Sequence, residues 1–302
     1  MQGITYTIIL PAYNEASALG EVIRGIRAVL AEVEGPSEIL VVDDGSTDRT
    51  AAVAEECGAR LTRHPVRRGA GAALKTGILE ARGELLLMMD ADGSYPPSAI
   101  PALLSALAGC RQAIGARTRE SGTAAWVRTP VKFLLRKLGE FLVRHPIPDL
   151  NTGMRAFSRC DALAFFHLLP DGHSCVSTLT LCFIGMGLPV RFVPIDYLPR
   201  VGSSKFRVVR DTFRFLVQIL RSVTYFAPLR IFLSASCLFF LAGIGKSAAD
   251  WFRRGGLEES DIILFTFSAV TGMLGLLADL VVRQSRKSIL DELFPRTTPP
   301  DR

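Results

Sequence analysis

Two long apolar stretches near the C-terminus constrain this chain more than any other feature. Residues 262–282 carry a single charge, Asp279, in about 21 residues, which matches the ~20 residues that a helix needs to cross a bilayer. Residues 231–245 are shorter, and they reach that length only if the helix continues through Lys246, whose charged end would snorkel to the interface. The pattern predicts a transmembrane hairpin. The predicted spans are about 230–251 and 261–283.

The alternative is a pair of buried helices in a soluble protein, since ~15 apolar residues also suit a core helix. Basic residues flank both outer ends of the hairpin, and residues 1–7 lack the pattern of a signal peptide. We therefore expect a multi-pass protein of the cytoplasmic (inner) membrane whose large N-terminal part faces the cytoplasm. The flanking residues are Arg221, Arg230, Arg283, Arg286 and Lys287, while Arg253 and Arg254 in the connection weaken this prediction.

The net charge of +6 is compatible with nucleic acid, an anionic membrane or phosphorylated substrates as partners. The basic residues concentrate in two amphipathic stretches, 128–145 and 205–226, rather than in a nucleic-acid motif. We predict helices there that lie in the membrane interface, with ordinary solvated surface helices as the alternative. The sequence favours a lipid bilayer and no nucleic acid as partner. Six cysteines without a close pair indicate reduced thiols.

Upstream of the hairpin, short apolar runs alternate with helical patterns. Runs at 5–10, 38–42 and 85–89 suit strands, and residues 16–33 have the apolar spacing of a helix. This alternation predicts βαβ units and a mostly parallel α/β sheet, in which ligands bind at the carboxyl ends of the strands. A dense polar segment follows each run, so we expect a site at that edge. The polar segments are 11–15, 43–48 and 90–94.

Asp90 and Asp92 follow the third apolar run directly. One of the two carboxylates can bind a cation directly while the other reaches it through water or substrate. Hard oxygen ligands suit Mg²⁺ or Mn²⁺. A solvated turn is the alternative for these two residues, but Asp43 and Asp44 at the end of the second run favour a site. Asp43 and Asp44 would hold the base or a ribose hydroxyl of a nucleotide, or they would only cap the start of a helix.

A glycine-rich turn, residues 67–71, precedes a helical segment that contains Lys75. Such a turn at the N-terminus of a helix can bind phosphate. Its spacing is neither that of a Walker A loop nor that of the dinucleotide fingerprint, so the indication is weak by itself. Tyr13 adds an aromatic ring that would line a nucleotide pocket, beside Asn14 and Glu15.

Several motifs, in this order, resemble family 2 glycosyltransferases, which have the Rossmann-like, mostly parallel GT-A fold. Their spacing is similar to that of the branch with dolichyl-phosphate mannose synthases and polyprenyl-phosphate glucosyltransferases, some of which carry two C-terminal spans. The resemblance covers roughly residues 4–228. The motifs are Pro-Ala-Tyr-Asn-Glu at 11–15, Val-Val-Asp-Asp-Gly-Ser-Thr-Asp at 41–48, Asp-Ala-Asp-Gly-Ser-Tyr-Pro-Pro at 90–97, Gly-Ala-Arg at 115–117, Asn-Thr-Gly-Met-Arg at 151–155 and Arg-Val-Gly-Ser-Ser-Lys at 200–205.

The resemblance implies a nucleotide-sugar donor of the GDP-mannose or UDP-glucose type, a polyprenyl or dolichyl phosphate acceptor, and Mg²⁺ or Mn²⁺ as cofactor. Asp90 and Asp92 would hold the metal and the diphosphate. Relatives often have Gln four residues after the first Asp as a further metal ligand, whereas this chain has Ser94. The residues expected to bind the donor are Pro11, Tyr13, Glu15, Asp43, Asp44, Lys75, Asp90, Ala91 and Asp92. Those expected to bind the lipid phosphate are Arg117, Arg128, Arg200, Ser203, Ser204 and Lys205.

The expected reaction is displacement at the anomeric carbon by a lipid phosphate oxygen, with inversion. A phosphate monoester has a second pKa of ~6 and is mostly ionised near neutral pH, so it needs no strong base. We expect Asp149 to orient the lipid phosphate or to take a residual proton. We expect Arg155 to bind the acceptor phosphate or the donor diphosphate. Together with Asp92, they are the predicted catalytic residues. The alternatives are transfer to a lipid hydroxyl, which needs a general base, and an inactive membrane adaptor. The sequence is compatible with a homo-oligomer.

These patterns divide the chain into three predicted regions. The first is a catalytic domain that includes the interfacial helices, the second is the transmembrane hairpin, and the third is a cytoplasmic tail. Their predicted bounds are 1–228, 229–284 and 285–302.

Overall fold

The computed structural model describes residues 4–118, 147–172, 174–198 and 228–293. These residues form two compact units, one ending at residue 198 and the other beginning at residue 228. The predicted interfacial helices and the last residues of the predicted tail lie outside the described residues, and the domain boundary at residue 228 stays a prediction.

The N-terminal unit is built around one sheet of seven strands. They are β1 (Tyr6–Ala12), β2 (Ser37–Asp43), β3 (Arg60–Arg63), β4 (Leu85–Met88), β5 (Gln112–Arg117), β6 (Arg155–Ser158) and β7 (Val190–Ile195). Their order in the sheet is β3-β2-β1-β4-β6-β5-β7. Neighbouring strands are parallel except where β6 pairs with β4 and β5. The predicted mostly parallel sheet is thus confirmed, with one antiparallel strand that the sequence pattern did not reveal.

Helices cover the sheet at both faces. They are α1 (Ala16–Leu30), α2 (Thr50–Glu56), α3 (Ala70–Glu80), α4 (Ile100–Ala106), α5 (Arg159–Ala164) and α6 (Cys175–Gly185), with 3₁₀ turns at Pro97–Ala99, Leu107–Gly109 and Phe166–Leu168. The apolar stripe predicted α1 to continue to residue 33, but the helix ends at Leu30. The chain then turns through Gly35, whose φ of 108° favours glycine.

β1 shows why the strands appear in the sequence as continuous apolar runs. Ile8 and Leu10 belong to the same buried cluster as the inner side of α1. Ile9 points the other way, because a Cβ on Gly77 of α3 would lie 2.5 Å from its Cγ2 atom. A strand that is covered on both faces needs apolar residues at successive positions, as in parallel sheets generally.

The register of the strands brings the three polar segments to one edge. Ala12 pairs with Asp43, so β1 and β2 end at the same level. β4 runs parallel to β1 and ends with Met88 opposite Ile9, so the residues that follow it emerge beside the other two segments. The sheet therefore gathers residues 11–15, 43–48 and 90–94 at its carboxyl edge.

The C-terminal unit is a pair of helices, α7 (Pro228–Arg254) and α8 (Glu259–Leu293). Both are long and apolar enough to cross a membrane, with mean hydropathies of 1.7 and 1.8 over their apolar windows. Only 11% and 17% of these windows are buried, which favours the predicted hairpin over the alternative of a helix pair in a soluble core. α8 extends ten residues beyond the predicted span end at residue 283.

Small and polar residues hold α7 against α8. Ser236 Oγ donates to the carbonyl of Ser268 at 2.8 Å, and Ser268 Oγ donates to the carbonyl of Ser236 at 2.9 Å. Gly243 packs under Phe265, since a Cβ on this glycine would lie 3.0 Å from the ring. Close approach at small residues and interhelical hydrogen bonds are common means of helix association in membranes.

Lys246, which we predicted to snorkel, is paired with carboxylates within the hairpin. Its Nζ atom lies 3.1 Å from Asp261 Oδ1 and also contacts Asp250. Asp261 is buried, and its second oxygen accepts the N–H of Glu258 at 2.9 Å. The charge that interrupts the first apolar stretch is therefore neutralised between the two helices.

The pairing of Lys246 with Asp261 predicts that two Asp→Asn substitutions in the hairpin have unequal effects on thermal stability. Asp261→Asn should lower the thermal unfolding midpoint of the purified chain in detergent, because it removes the buried counter-charge of Lys246. Asp279→Asn breaks a pair with Arg283, whose side chain is 75% exposed, and should have little effect. Equal shifts in the two variants would contradict this account of the hairpin.

Candidate active site

The segments that follow β1 and β2 are joined by backbone-to-side-chain hydrogen bonds. The N–H of Asn14 donates to Ser46 Oγ at 2.9 Å, and the N–H of Thr47 donates back to Asn14 Oδ1 at 2.9 Å. The N–H of Glu15 donates to Thr50 Oγ1 at 2.9 Å. Asn14 has a positive φ of 55°, a conformation that asparagine tolerates better than most residues. The two polar segments therefore form one surface.

Tyr13 and Pro11, both half-buried, lie at the end of β1. The guanidinium carbon of Arg67 lies 4.1 Å from the centroid of the Tyr13 ring, a cation–π contact. The ring is therefore anchored beside the carboxyl end of the sheet, as expected for a residue that lines a pocket.

Asp43 ends β2 and is fully buried. Its Oδ1 atom accepts the N–H of Ser46 at 2.9 Å. Its Oδ2 atom lies 3.0 Å from Nε of Arg63 but accepts no hydrogen bond. This oxygen is ion-paired with Arg63 but receives no well-aligned N–H, so it suits an N–H that a ligand would bring. Arg63 also lines an open hollow, together with Gly45, Ser46, Thr47, His64 and Pro65.

Asp44 is buried as well, and its contacts hold the chain in place. Its carboxylate lies 2.8 Å from His64 Nδ1 and accepts the N–H groups of Arg68 and Gly69, each at 2.8 Å. The Nε2 atom of His64 is hydrogen-bonded to Thr76 Oγ1 at 2.9 Å. These contacts favour a positioning role for Asp44, which fixes the glycine-rich turn, over the direct donor contact that we predicted.

The glycine-rich turn, residues 67–71, packs against the backbone of residues 170–172. Ideal Cβ atoms on Gly69 and Gly71 would come within 2.6 Å of carbonyl oxygens of residues 170–172. The carbonyl of Asp171 also accepts the N–H of Ala72 at 3.1 Å. One N–H at the start of α3 is therefore taken by a carbonyl, and the phosphate role suggested for this turn stays a prediction.

Lys75 lies one turn further along α3. Its Nζ atom is 2.8 Å from Asp171 Oδ1 and 5.1 Å from the centroid of the Phe166 ring. These contacts tie α3 to the segment before α6. A contact between Lys75 and the donor stays a prediction.

Asp90 and Asp92 lie in the turn after β4. Asp92 is buried, and its Oδ1 atom accepts the N–H of Ser94 at 3.0 Å and the hydroxyl of Ser94 at 2.5 Å. Ser94 occupies the position at which relatives often have a metal-binding Gln, and in this chain its hydroxyl orients Asp92. Ala91 packs its side chain into the hydrophobic core, so only its backbone faces the edge of the sheet.

Gly153 provides the surface on which Asp90 rests. A Cβ on Gly153 would come within 2.7 Å of both carboxylate oxygens of Asp90. The antiparallel register explains this, because Met88 pairs with Arg155 and two further residues on each strand bring Asp90 opposite Gly153. Residues 151–153 and the Asp90 turn therefore form one unit.

Tyr95 holds residues 151–153 against the Asp90 turn, a role that the sequence motifs did not predict. Its hydroxyl accepts the N–H of Gly153 at 2.7 Å and lies 3.4 Å from Thr152 Oγ1. Burial raises the pKa of Tyr95, and the nearby charge of Asp90 raises it further, so the phenol stays protonated. The only sequence signal was its place in the Asp-x-Asp motif at 90–97.

Arg117 and Asp149 were predicted to serve the acceptor separately, but the structure pairs them. Arg117 Nε lies 2.6 Å from Asp149 Oδ2, and Arg117 Nη2 lies 3.0 Å from Asp149 Oδ1. The guanidinium carbon of Arg117 also lies 5.2 Å from the centroid of the Tyr197 ring. The Tyr197 ring meets the Tyr95 ring edge-on at 5.3 Å, which connects this pair to the Asp90 turn.

Arg155 is fully buried beneath the site. Its guanidinium donates to Thr180 Oγ1 at 2.8 Å and to the backbone carbonyls of Thr152 and Val176. Burial lowers the pKa of Arg155 to about 10, so the side chain remains charged at neutral pH. Its position favours support of residues 152–153 over the catalytic contact that we predicted. The other predicted acceptor ligands lie outside the described residues; they are Arg128, Arg200, Ser203, Ser204 and Lys205.

The sequence pattern of glycosyl transferase family 2 matches residues 7–163. The chain belongs to this family. A second pattern, the GtrB C-terminal hairpin, matches residues 227–283 and coincides with α7 and α8. Both findings confirm the glycosyltransferase that the motifs predicted.

Relatives of this glycosyltransferase extend over much of its length. Glycosyltransferase AglJ of Haloferax volcanii is 26% identical, over 93% of this chain and 95% of that protein. The polyprenol monophosphomannose synthase of Mycolicibacterium smegmatis is 32% identical, over 66% of this chain and 79% of that protein. An undecaprenyl-phosphate 4-deoxy-4-formamido-L-arabinose transferase of Pseudomonas aeruginosa is 34% identical, over 42% of this chain and 40% of that protein.

Solved structures share the fold. The glucosyl-3-phosphoglycerate synthase of Mycobacterium tuberculosis, in complex with Mn²⁺, UDP-glucose and phosphoglyceric acid, superposes with a TM-score of 0.60 at 23% identity. The match covers 73% of this chain and 80% of that chain. At this identity the likeness establishes the GT-A fold of the glycosyltransferase and nothing more.

The carboxylates at the Asp90 turn suit a divalent cation whose remaining coordination positions are filled by a substrate. Among the described residues, no group of three His, Cys, Asp or Glu side chains could hold a metal. The Asp90 turn carries two carboxylates, Asp90 and Asp92. Mg²⁺ is typically held by one or two carboxylates together with phosphate oxygens and water. The two carboxylates therefore fit Mg²⁺ or Mn²⁺ bound with a diphosphate.

The contact between Asp90 and Gly153 predicts the effect of a single methyl group. Gly153→Ala should displace the Asp90 carboxylate and lower glycosyltransferase activity roughly 100-fold, the scale expected for a displacement of ~1 Å in an active site. Gly172→Ala is the matched control, because a Cβ there meets no atom within 4 Å. Transfer rates and Mn²⁺ affinity in the presence of a nucleoside diphosphate would be measured for both. An unaffected Gly153→Ala variant would contradict the contact.

Proposed function

We propose that this enzyme transfers a hexose from a nucleotide sugar, of the GDP-mannose or UDP-glucose type, to a polyprenyl or dolichyl phosphate, with inversion at the anomeric carbon. One observation carries the proposal. The acidic turn with Asp90 and Asp92 is joined through the Tyr95 and Tyr197 rings to a cation, Arg117, at the same edge of the sheet. Such an arrangement suits two phosphates, one held through a metal and one held by a cation.

The nucleoside half of the donor would lie at the ends of β1 and β2. Asp43 Oδ2 lacks a hydrogen-bond donor, and uracil and guanine both offer a ring N–H. The Arg63 side chain, which is 55% exposed, covers this oxygen and would swing aside as the base enters. Tyr13 would stack on the base, with Pro11 and Glu15 beside it.

The diphosphate of the donor would lie at the Asp90 turn. Asp90 and Asp92 would hold Mg²⁺ or Mn²⁺ there, with Asp92 oriented by Ser94. When bound, a divalent cation neutralises the charge that develops on a departing diphosphate. The chain's own contribution is to fix both carboxylates, through Gly153 and through Ser94, before the substrates arrive.

The acceptor is proposed to be a phosphate rather than a hydroxyl. A phosphate monoester is mostly ionised near neutral pH, because its second pKa is ~6, and so it can attack without a base. Transfer to a hydroxyl would require a general base, and Asp149, the nearest candidate in the sequence, is bound on both oxygens by Arg117. The relatives named for polyprenol and undecaprenyl phosphate support the same choice.

The hairpin would place the enzyme at the surface where such a lipid is found. We propose that α7 and α8 cross the membrane and that the catalytic unit faces the cytoplasm, where nucleotide sugars are made. The apolar composition of both helices and the match to the GtrB hairpin support this location.

The proposal is tested by lipid labelling. Purified enzyme with Mn²⁺ and radiolabelled UDP-glucose or GDP-mannose should label undecaprenyl phosphate and leave undecaprenol and diacylglycerol unlabelled. The phosphate and the alcohol share one hydrocarbon chain, so the comparison isolates the nucleophile. Labelling of an alcohol, or of no lipid with either donor, would overturn the proposed function.

The assignment of Asp43 predicts a change in base preference. In Asp43→Asn, the N–H of Ser46 still needs an acceptor, so the amide nitrogen should turn toward the base and oppose its N–H. Binding of UDP and GDP should weaken about tenfold or more, and their advantage over CDP should shrink, because cytosine has an acceptor at that position. Isothermal titration with all three nucleotides measures this.

Asp48→Asn is the control for the base-preference experiment. This carboxylate lies in the same segment but binds Thr50 and the N–H of Ala16 at the start of a helix. It should change stability without changing the order of nucleotide affinities. If Asp43→Asn kept the wild-type ratio of the UDP and GDP affinities to the CDP affinity, Asp43 would not read the base.

A further inference from the structure

The bidentate pair of Arg117 and Asp149 lies at the carboxyl end of β5, where the acceptor is proposed to bind. The two side chains are only 15% and 11% exposed. A bidentate contact of this kind fixes the plane of the guanidinium as well as its position. The contact uses Nε and one Nη of the Arg117 guanidinium.

The oxygens of Asp149 are occupied by N–H groups. Oδ2 faces Nε of Arg117 and lies 3.4 Å from the backbone nitrogen of the same residue. Oδ1 faces Nη2 of Arg117 and accepts the N–H of Asn151 at 3.1 Å. A carboxylate offers about four lone-pair positions, and four N–H groups point at this one. A group in this state is suited to holding a cation and not to taking a proton.

Aromatic contacts fix the same guanidinium from another side. Arg117 stacks on Tyr197, whose ring meets Tyr95 edge-on. The N–H of Leu198 donates to the carbonyl of Ser94 at 2.9 Å, which fastens the chain beside Tyr197 to the acidic turn. The position of Arg117 is therefore set relative to Asp90 and Asp92, where the donor diphosphate is proposed to bind.

We propose that Asp149 is a positioning residue that holds Arg117 for the acceptor phosphate, and that it takes no proton in the reaction. This inference rests on the proposed function, since it assigns a role within the acceptor site. Asp149 acts through Arg117, so its loss should weaken acceptor binding more than it slows the chemical step. Removing Asp149 should add little once Arg117 is gone.

β5 carries a matched pair at its other end. Arg111, which precedes the strand, makes the same bidentate contact with Asp161 of α5, at 2.8 Å and 2.5 Å. Asp161 is fully buried and lies at the opposite end of the strand from Arg117. Asp161→Asn therefore removes a comparable ion pair without touching the proposed acceptor site.

The test is a double-mutant cycle on purified full-length enzyme, with undecaprenyl phosphate as acceptor and UDP-glucose or GDP-mannose as donor. In Asp149→Asn, the acceptor KM should rise roughly tenfold to 100-fold while kcat falls less. The double variant Asp149→Asn, Arg117→Ala should be no worse than Arg117→Ala alone. Asp161→Asn should lower thermal stability and leave the acceptor KM unchanged.

Two results would overturn the inference while leaving the proposed function intact. One is a large fall in kcat at unchanged acceptor KM in Asp149→Asn, with loss of the acid limb of the pH–rate profile, as for a general base. The other is multiplication of the two single effects in the double variant. Failure of the wild-type enzyme to label the lipid phosphate would instead overturn the proposed function itself.

Discussion

The contact between the Asp90 carboxylate and the backbone of Gly153 fixes the geometry on which the rest of the site depends. Both carboxylate oxygens lie where a side chain at residue 153 would begin, so the position requires glycine. The contact exists because β6 pairs antiparallel with β4, and this register sets Asp90 opposite Gly153. Tyr95 then holds the N–H of Gly153, and buried Arg155 holds the carbonyl of Thr152. The one antiparallel strand in the sheet thus positions the Asp90 turn, where the metal is proposed to bind.

The proposed donor and acceptor positions are linked through the same residues. Tyr95 lies between Gly153 and the Tyr197 ring, and Tyr197 supports the guanidinium of Arg117. An inverting displacement needs the attacking oxygen and the leaving group in line, so their separation has to be set by rigid parts of the protein. The edge-on contact between the buried Tyr95 ring and the half-buried Tyr197 ring provides such a connection.

The sequence predicted what local patterns determine and missed what distant contacts determine. The strand ends, the mostly parallel sheet and the apolar helices follow from periodicity, and Asp90 and Asp92 were found because they follow a buried strand. The pairing of Arg117 with Asp149 joins residues 32 positions apart, and no spacing rule reveals it. The same holds for Asp44, whose carboxylate holds a turn 24 residues away. A motif identifies chemically capable residues, whereas packing decides whether each one touches a ligand or another residue.

We propose that one site holds two phosphates, one through a metal at Asp90 and Asp92 and one through Arg117. Mn²⁺ broadens ³¹P resonances steeply with proximity, so the most direct test is the ³¹P spectrum of undecaprenyl phosphate bound to the enzyme with Mn²⁺ and a nucleoside diphosphate. If the two phosphates share one site, the lipid phosphate resonance should broaden strongly. This broadening should be absent with Mg²⁺ and absent in Asp90→Asn with Mn²⁺. A lipid phosphate that binds the enzyme and keeps its line width beside bound Mn²⁺ would contradict a shared site.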